Sequence, residues 1–296
     1  MNRILKVLLL TIIVSTLWGK GKKIYISADL EGVVGAVTGE QLGPSGFEYN
    51  RFREFMTAEV NAAIRAAKSA GATEILVADS HGNGQNLLIE KLPKDVQVIR
   101  SWPRPLGMME GIDSSFDGVI FTGYHASTDN LEGVRAHTFS SAKLTSVKVN
   151  GQVMTEGSWN AAIAGHFGVP VILVAGDDAA VKEVKDLIGN AEGAIVKESI
   201  SFHSAKTLHP EAAYDLIAKK TAYAVKNIKK YIPYKIPGPI TVSIRFKHYQ
   251  PSQVLAYLDM FKRTSSHTIE YNAKDMIEAS HIMRVVTGYN GGKTSP

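Results

Sequence analysis

Short apolar runs recur along this chain, and most of them close on polar tips. Ile24 and Ile26 alternate with Tyr25 and Ser27 at the two-residue period of a strand, and Ala28-Asp29-Leu30-Glu31-Gly32 follows. Residues 74–78 form a second run that ends in Asp79-Ser80-His81-Gly82, and residues 118–123 a third that ends in Tyr124-His125-Ala126. A fourth, residues 169–175, ends in Gly176-Asp177-Asp178. Weaker strands are predicted at 96–99 and 194–197. Between these runs the spacing becomes helical. Phe52, Phe55, Met56, Val60, Ala63, Ile64 and Ala67 recur three and four residues apart, predicting a helix over 51–70 with Gly71 as its stop. Further helices are expected at 158–166, 179–188 and 210–226, and a short one at 87–92. Asn150-Gly151 is the strongest two-residue hairpin signal, so 146–155 reads as two paired strands.

Apolar strands alternating with amphipathic helices predict an α/β fold, a mainly parallel sheet flanked by helices. The pattern changes after residue 199. Pro233, Pro237 and Pro239 punctuate a basic stretch, residues 240–246 alternate as a strand with one wet face, and two helical stretches surround 268–271. This divides the chain into a main α/β domain over 22–200 and a smaller C-terminal α+β part over 201–296. Residues 1–21 stand apart. Arg3 and Lys6 precede an apolar run from Val7 to Trp18, short of the roughly 20 residues of a bilayer span, which reads as a secretory signal peptide. Leu17-Trp18-Gly19 is a poor cleavage site, so an uncleaved N-terminal anchor is the alternative. Either way the folded part is expected to be exported, to the periplasm or beyond the cell.

Composition narrows the chemistry. The net charge of +5 is mild for 296 residues, and no Arg/Lys stripe interleaved with aromatics appears, which argues against a nucleic-acid partner. Membrane contact is expected only if the N-terminal segment is retained. The chain has no cysteine. Disulfides, thiolate catalysis and cysteine-ligated zinc are therefore excluded, and any metal has to be bound by His, Asp and Glu.

Four segments supply such residues. In open α/β sheets, ligands bind beyond the carboxyl ends of the strands. This chain places Asp29 and Glu31, Asp79 and His81, and His125 at such ends, and the second arm of the hairpin ends at Glu156. Asp79 apart, these two histidines and three carboxylates suit zinc, with manganese as second choice. Five ligands are many for one catalytic zinc that must keep an open position. They suffice for two ions if a carboxylate such as Asp29 bridges them, and ion pairs of this kind activate water for hydrolysis. Taken singly, the same residues have plainer readings: Asp29 and Glu31 as a capping turn, His125 as a hydrogen-bonded core histidine.

IYISADLEG, VADSHG, GYHA, the later His137 and MTEG, in this order, resemble the zinc-dependent D-aminopeptidases, the DppA-like metallopeptidases. AGDD at 175–178 and NAKDMIEA at 272–279 extend the resemblance, which runs from Lys23 to about residue 285 and is weakest around 228–265. The resemblance implies two zinc ions held by Asp29, Glu31, His81, His125 and Glu156, with His137 as the catalytic histidine. Chemistry alone allows His137 to act as a nucleophile or to transfer protons near neutral pH. It further implies hydrolysis of small peptides with an N-terminal D-amino acid, and assembly as a homo-oligomer. For an exported member, D-alanyl peptides of the cell wall are the expected substrates.

Other residues compete for these roles. Asp177 and Asp178 end a strand and could hold metal, but Asp before Ala179 suits helix capping, the preferred reading. Asp79 either orients the His81 ring or closes a turn. His166 reads as complementing a helix dipole, and His203, His209, His248, His267 and His281 as structural or exposed. Ser80 lacks the G-x-S-x-G setting of a serine nucleophile. Two other functions fit the residues: a dinuclear amidase or phosphoesterase using the same ion pair, and a non-catalytic exported protein that binds metal or ligand.

Overall fold

Strand β1 (Lys22–Ala28) is the centre of the main sheet, and its alternation separates two cores. Ile24 and Ile26 pack on one face among Val60, Ile64 and Ile217, while Tyr25 packs on the other among Phe121, Trp159 and Val242. The computed structural model describes residues 21–288. The apolar N-terminal run, with the signal or anchor role expected of it, lies outside the described residues.

From β1 the chain passes through helix α1 (Tyr49–Ser69) to β2 (Ala72–Asp79) and β3 (Gln97–Ile99), then returns to β4 (Gly118–Tyr124) on the other side of β1. A hairpin, β5 (Leu144–Val149) and β6 (Gln152–Val153), leads into α2 (Glu156–His166), followed by β7 (Val171–Asp177), α3 (Asp178–Ile188), β8 (Glu192–Ser201) and β9 (Ser204–Thr207). The sheet order is β3-β2-β1-β4-β7-β8-β9, parallel except for β9. Its direction of growth reverses between β1 and β4, the switch point where the carboxyl ends open a crevice. All seven residues of β4 and of β7 are buried, as strands covered on both faces require.

Helix α4 (Pro210–Lys226) packs beside α1 on the main sheet. Then come β10 (Ile240–Phe246), α5 (Tyr249–Leu255), β11 (Lys262–Ser265), β12 (Thr268–Ala273) and α6 (Met276–Gly288). The second sheet, β11-β12-β10-β5-β6, is antiparallel and forms the smaller α+β region. It recruits the hairpin from the middle of the chain, so its strands come from both sides of residue 200. Asn150 (φ 50°) and Gly151 (φ 83°) both take left-handed conformations, as the tight hairpin requires.

The short helix expected at 87–92 is only a single 3-10 turn at Ile89–Lys91. Pro93 keeps Leu92 in extended backbone (ψ 154°), which stops the turn after Lys91. Strands β9 and β11 leave no apolar alternation to read, because nearly all their side chains are exposed.

Candidate metal centre

Two glycines let the chain beyond β1 press against the end of β4. Gly32 N–H donates to Gly123 O at 2.7 Å and Asp29 N–H to Thr122 O at 2.8 Å. A Cβ on Gly32 would lie 2.0 Å from the Tyr124 carbonyl oxygen, and one on Gly123 (φ +70°) 2.0 Å from that of Asp29. Only bare backbone passes here. The loop is held from the far side by Lys197 of β8, whose ammonium donates to the carbonyls of Glu31, Val33 and Ala36. Burial pushes the pKa of Lys197 down to about 8.

Three histidines meet three carboxylates at this crevice. His81 follows β2 and donates Nε2–H to Leu42 O at 2.7 Å. His125 follows β4 and donates Nδ1–H to Ala126 O at 3.0 Å; His137 donates Nδ1–H to Arg135 O at 2.8 Å. A carbonyl can only accept, so each contact fixes which nitrogen carries the proton. The other nitrogen of each ring is aimed at carboxylate oxygens. His81 Nδ1 lies 3.1 Å from Asp29 Oδ1 and 2.8 Å from Glu31 Oε2. His125 Nε2 is buried without a hydrogen-bond partner among the described residues, 3.4 Å from Asp29 Oδ2 and 3.5 Å from Glu156 Oε1. His137 Nε2 lies 3.7 Å from Glu156 Oε1 and 3.9 Å from Glu31 Oε1.

An imidazole lone pair facing a carboxylate is repulsive; the arrangement calls for a cation, proton or metal, between them. The electrostatics say the same. Burial alone would lower the His81 and His125 pKa values, but Glu31 beside the first and Glu156 beside the second raise them well above the ordinary histidine range. Burial pushes Glu31 and Glu156 up, yet His81 and His125 respectively override it and hold both carboxyls below their usual range. Asp29 is raised, first by burial and then by Glu31.

The donor set fits metal. Ligand atoms 2.8–3.5 Å apart match the roughly 3.3 Å edge of a tetrahedron around zinc with bonds of about 2.0 Å. Ligand atoms of Asp29, Glu31 and His125 lie within 4.8 Å of one another, and so do those of His125, His137 and Glu156. These two overlapping clusters are consistent with a dinuclear site. The oxygens of Asp29 face different histidines, Oδ1 toward His81 and Oδ2 toward His125, the geometry of a bridging carboxylate.

Glu156 reaches the site from the start of α2, not from a strand of the main sheet. Thr155 and Ser158 cap that helix reciprocally, and Phe139 N–H donates to Glu156 Oε1 at 2.6 Å. His137 rides on the loop after β4. Its neighbours Arg135 (φ 55°) and Phe139 (φ 59°) are both in the left-handed region, a strained setting that functional loops tolerate.

The remaining expectations resolve by geometry. Asp79 does not touch the His81 ring; its carboxylate accepts from Asn86 N–H, Asn86 Nδ2 and Leu87 N–H, closing the turn after β2. Asp177 caps α3 through Ala180 N–H at 2.6 Å and also accepts from Val134 N–H, while Asp178 accepts from Ser199 N–H. Capping accounts for Asp177, and a contact to β8 for Asp178. The cavity over the cluster, about 400 Å³, is also lined by Trp102, Phe139, Lys143 and Arg284. Nothing in the sequence pattern marks these four, because they come from loops and a helix far apart in the chain. Lys197 was equally hidden within an apolar strand.

A doubly wound sheet carrying paired His/carboxylate clusters at its switch point is the architecture of a metal-dependent hydrolase. A family model described as D-aminopeptidase, of the M55 peptidases, matches residues 22–285. A D-aminopeptidase of Bacillus subtilis (strain 168) is 37% identical over 266 residues, covering 90% of this chain and 96% of that protein. In solved structures, the Zn-dependent D-aminopeptidase DppA from Bacillus subtilis, described as a self-compartmentalizing protease, is similar at a TM-score of 0.86 and 36% identity. That match covers 90% of this chain and 96% of the other. The chain belongs to the D-aminopeptidase family of metallopeptidases.

Proposed function

We propose that this protein is a metal-dependent aminopeptidase that releases N-terminal D-amino acids from small peptides. One observation carries the reading: three imidazoles, each pinned by one N–H to a backbone carbonyl, converge on three buried carboxylates. Asp29, Glu31, His81, His125 and Glu156 would hold two ions, with Asp29 as the bridge. Zinc is the proposed metal, as in the solved relative, with manganese as the alternative the donor set also suits. Bound ions of this kind polarise a scissile carbonyl and make water reactive at neutral pH.

The protein's own residues supply the rest. His137 is the most exposed of the three histidines, with 13% of its side chain accessible against 8% for His81 and 1% for His125. Its Nδ1–H is committed to Arg135 O, so Nε2 is the atom that attacks, or that takes and returns a proton at the scissile bond.

Export is part of the proposal. Its support is the basic start and apolar run of residues 1–18, after which the family match begins at residue 22. Assembly into a homo-oligomer is proposed from the self-compartmentalizing relative. The deciding assay uses D-alanyl and L-alanyl dipeptides before chelation, after it, and after zinc or manganese is restored. D-selective turnover that follows the metal supports the reading. Turnover confined to phosphoesters, or none in metal-loaded protein, contradicts it.

A further inference from the structure

The cavity wall is not uniformly acidic. Arg284, on α6, lines it together with the metal-centre carboxylates, and Lys143 lies beside it. We propose that Arg284 binds the free carboxylate of the peptide substrate and thereby makes the enzyme selective for short peptides with an unblocked C-terminus. This rests on the aminopeptidase reading above.

Arg284 is half-buried, and among the described residues no hydrogen bond or ion pair engages its guanidinium. It stacks instead on Trp102, 4.9 Å from the ring centre. That ring is fixed relative to the metal centre. Trp102 Nε1–H donates to the carbonyl of Gly82, the residue after His81, at 2.8 Å. A second guanidinium, that of Arg104, lies 4.2 Å from the same ring and is tied to Asp79 O at 2.8 Å. Two cations share one indole, and among the described residues no carboxylate forms a hydrogen bond or ion pair with either, so an arriving anion relieves their repulsion. A planar fork held in place on an aromatic ring is suited to a bidentate carboxylate contact. Lys143 adds positive charge nearby and ties the loop after Phe139 to α6 through Thr287 O at 3.0 Å.

The pattern matches the two ends of the substrate. A peptide presents its scissile bond at one end and a carboxylate at the other, and the cavity carries the metal-holding cluster and a preorganised guanidinium. A volume of about 400 Å³ holds both ends only of a small molecule.

The test compares D-alanyl-D-alanine with its C-terminal amide. Wild-type, metal-loaded protein should favour the free acid in kcat/KM by about tenfold or more. Arg284→Gln should raise KM for the acid about ten- to a hundredfold, with a smaller change in kcat, and bring the acid-to-amide ratio toward one. Arg284→Lys, which keeps the charge but not the fork, should restore part of the preference, and its metal content and circular dichroism should match wild type. A wild-type ratio near one overturns the proposal. So does an Arg284→Gln or Arg284→Lys protein that loses both substrates in equal proportion. Failure of metal-loaded wild type to cleave either substrate overturns the aminopeptidase reading as well, and is recognised by the wild type alone.

Discussion

The rings of His125 and His137 are stacked, with centres 4.0 Å apart and planes 8° from parallel. Each gives its Nδ1–H to a backbone carbonyl and turns Nε2 toward the same Glu156 oxygen, at 3.5 and 3.7 Å. Two imidazolium ions stacked in this way would repel each other. A cation bound by His125 and Glu156 would remove that repulsion and leave His137 Nε2 free beside it.

Metal uptake should therefore displace protons. With His81 and His125 raised well above their ordinary range by Glu31 and Glu156, metal-free protein keeps protons on these rings at neutral pH. Titrating zinc into weakly buffered apoprotein with an indicator dye should release about two protons per chain, and affinity should fall steeply as pH falls. Uptake without proton release would mean that the rings are already neutral.

Gly123→Ala should destabilise the fold and empty the metal centre together. The new methyl would meet the Asp29 carbonyl 2.0 Å away at a left-handed φ, so the ends of β1 and β4 must part. A loss of order 3 kcal/mol in denaturant unfolding is expected, accompanied by reduced zinc content. Full zinc content in a folded variant would show that this close approach does not position the ligands.

Asp177→Ala should cost stability, about 1–2 kcal/mol from the lost cap on α3, without lowering metal content. Elemental analysis beside thermal unfolding checks this. A drop in metal at unchanged stability would return Asp177 to the ligand set.

Glu59 gives the fold a pH dependence of its own. It is buried under the β1 loop, accepts from Val34 N–H through Oε1, and its Oε2 has no hydrogen-bond partner among the described residues. Burial raises its pKa from 4.5 to about 7, so the folded state holds the proton more tightly than the unfolded chain. Its contribution is fully present below about pH 4.5 and is lost as pH rises through about 7, a span worth about 3 kcal/mol. Glu59→Gln should gain stability over wild type between pH 5 and pH 8. Parallel stability curves for the two proteins would contradict the assignment.

The sheet and much of the centre were legible because parallel strands buried on both faces read as apolar runs, and Asp29, His81 and His125 stand just past their ends. Asn150-Gly151 announced its hairpin because only certain residues accept two successive left-handed conformations. Other features carry no local signature. The hairpin pairs with β10 some 90 residues later, so sheet membership could not follow the change of pattern near residue 200. Asp79 beside His81 looked able to orient it, yet chain geometry turned its carboxylate to Asn86. Trp102 and Arg284 meet only in the folded chain, 182 positions apart.

If Asp29 bridges two ions while His137 performs chemistry without holding them, metal content and activity separate in variants of the two residues. Metal content and D-alanyl peptide hydrolysis of wild type, Asp29→Ala and His137→Ala, measured on the same folded preparations, test it most directly. Expected are two ions and activity in wild type, loss of both in Asp29→Ala, and in His137→Ala retained metal with activity lowered about a hundredfold or more. Retained metal in Asp29→Ala, or a metal-depleted but folded His137→Ala, would contradict it.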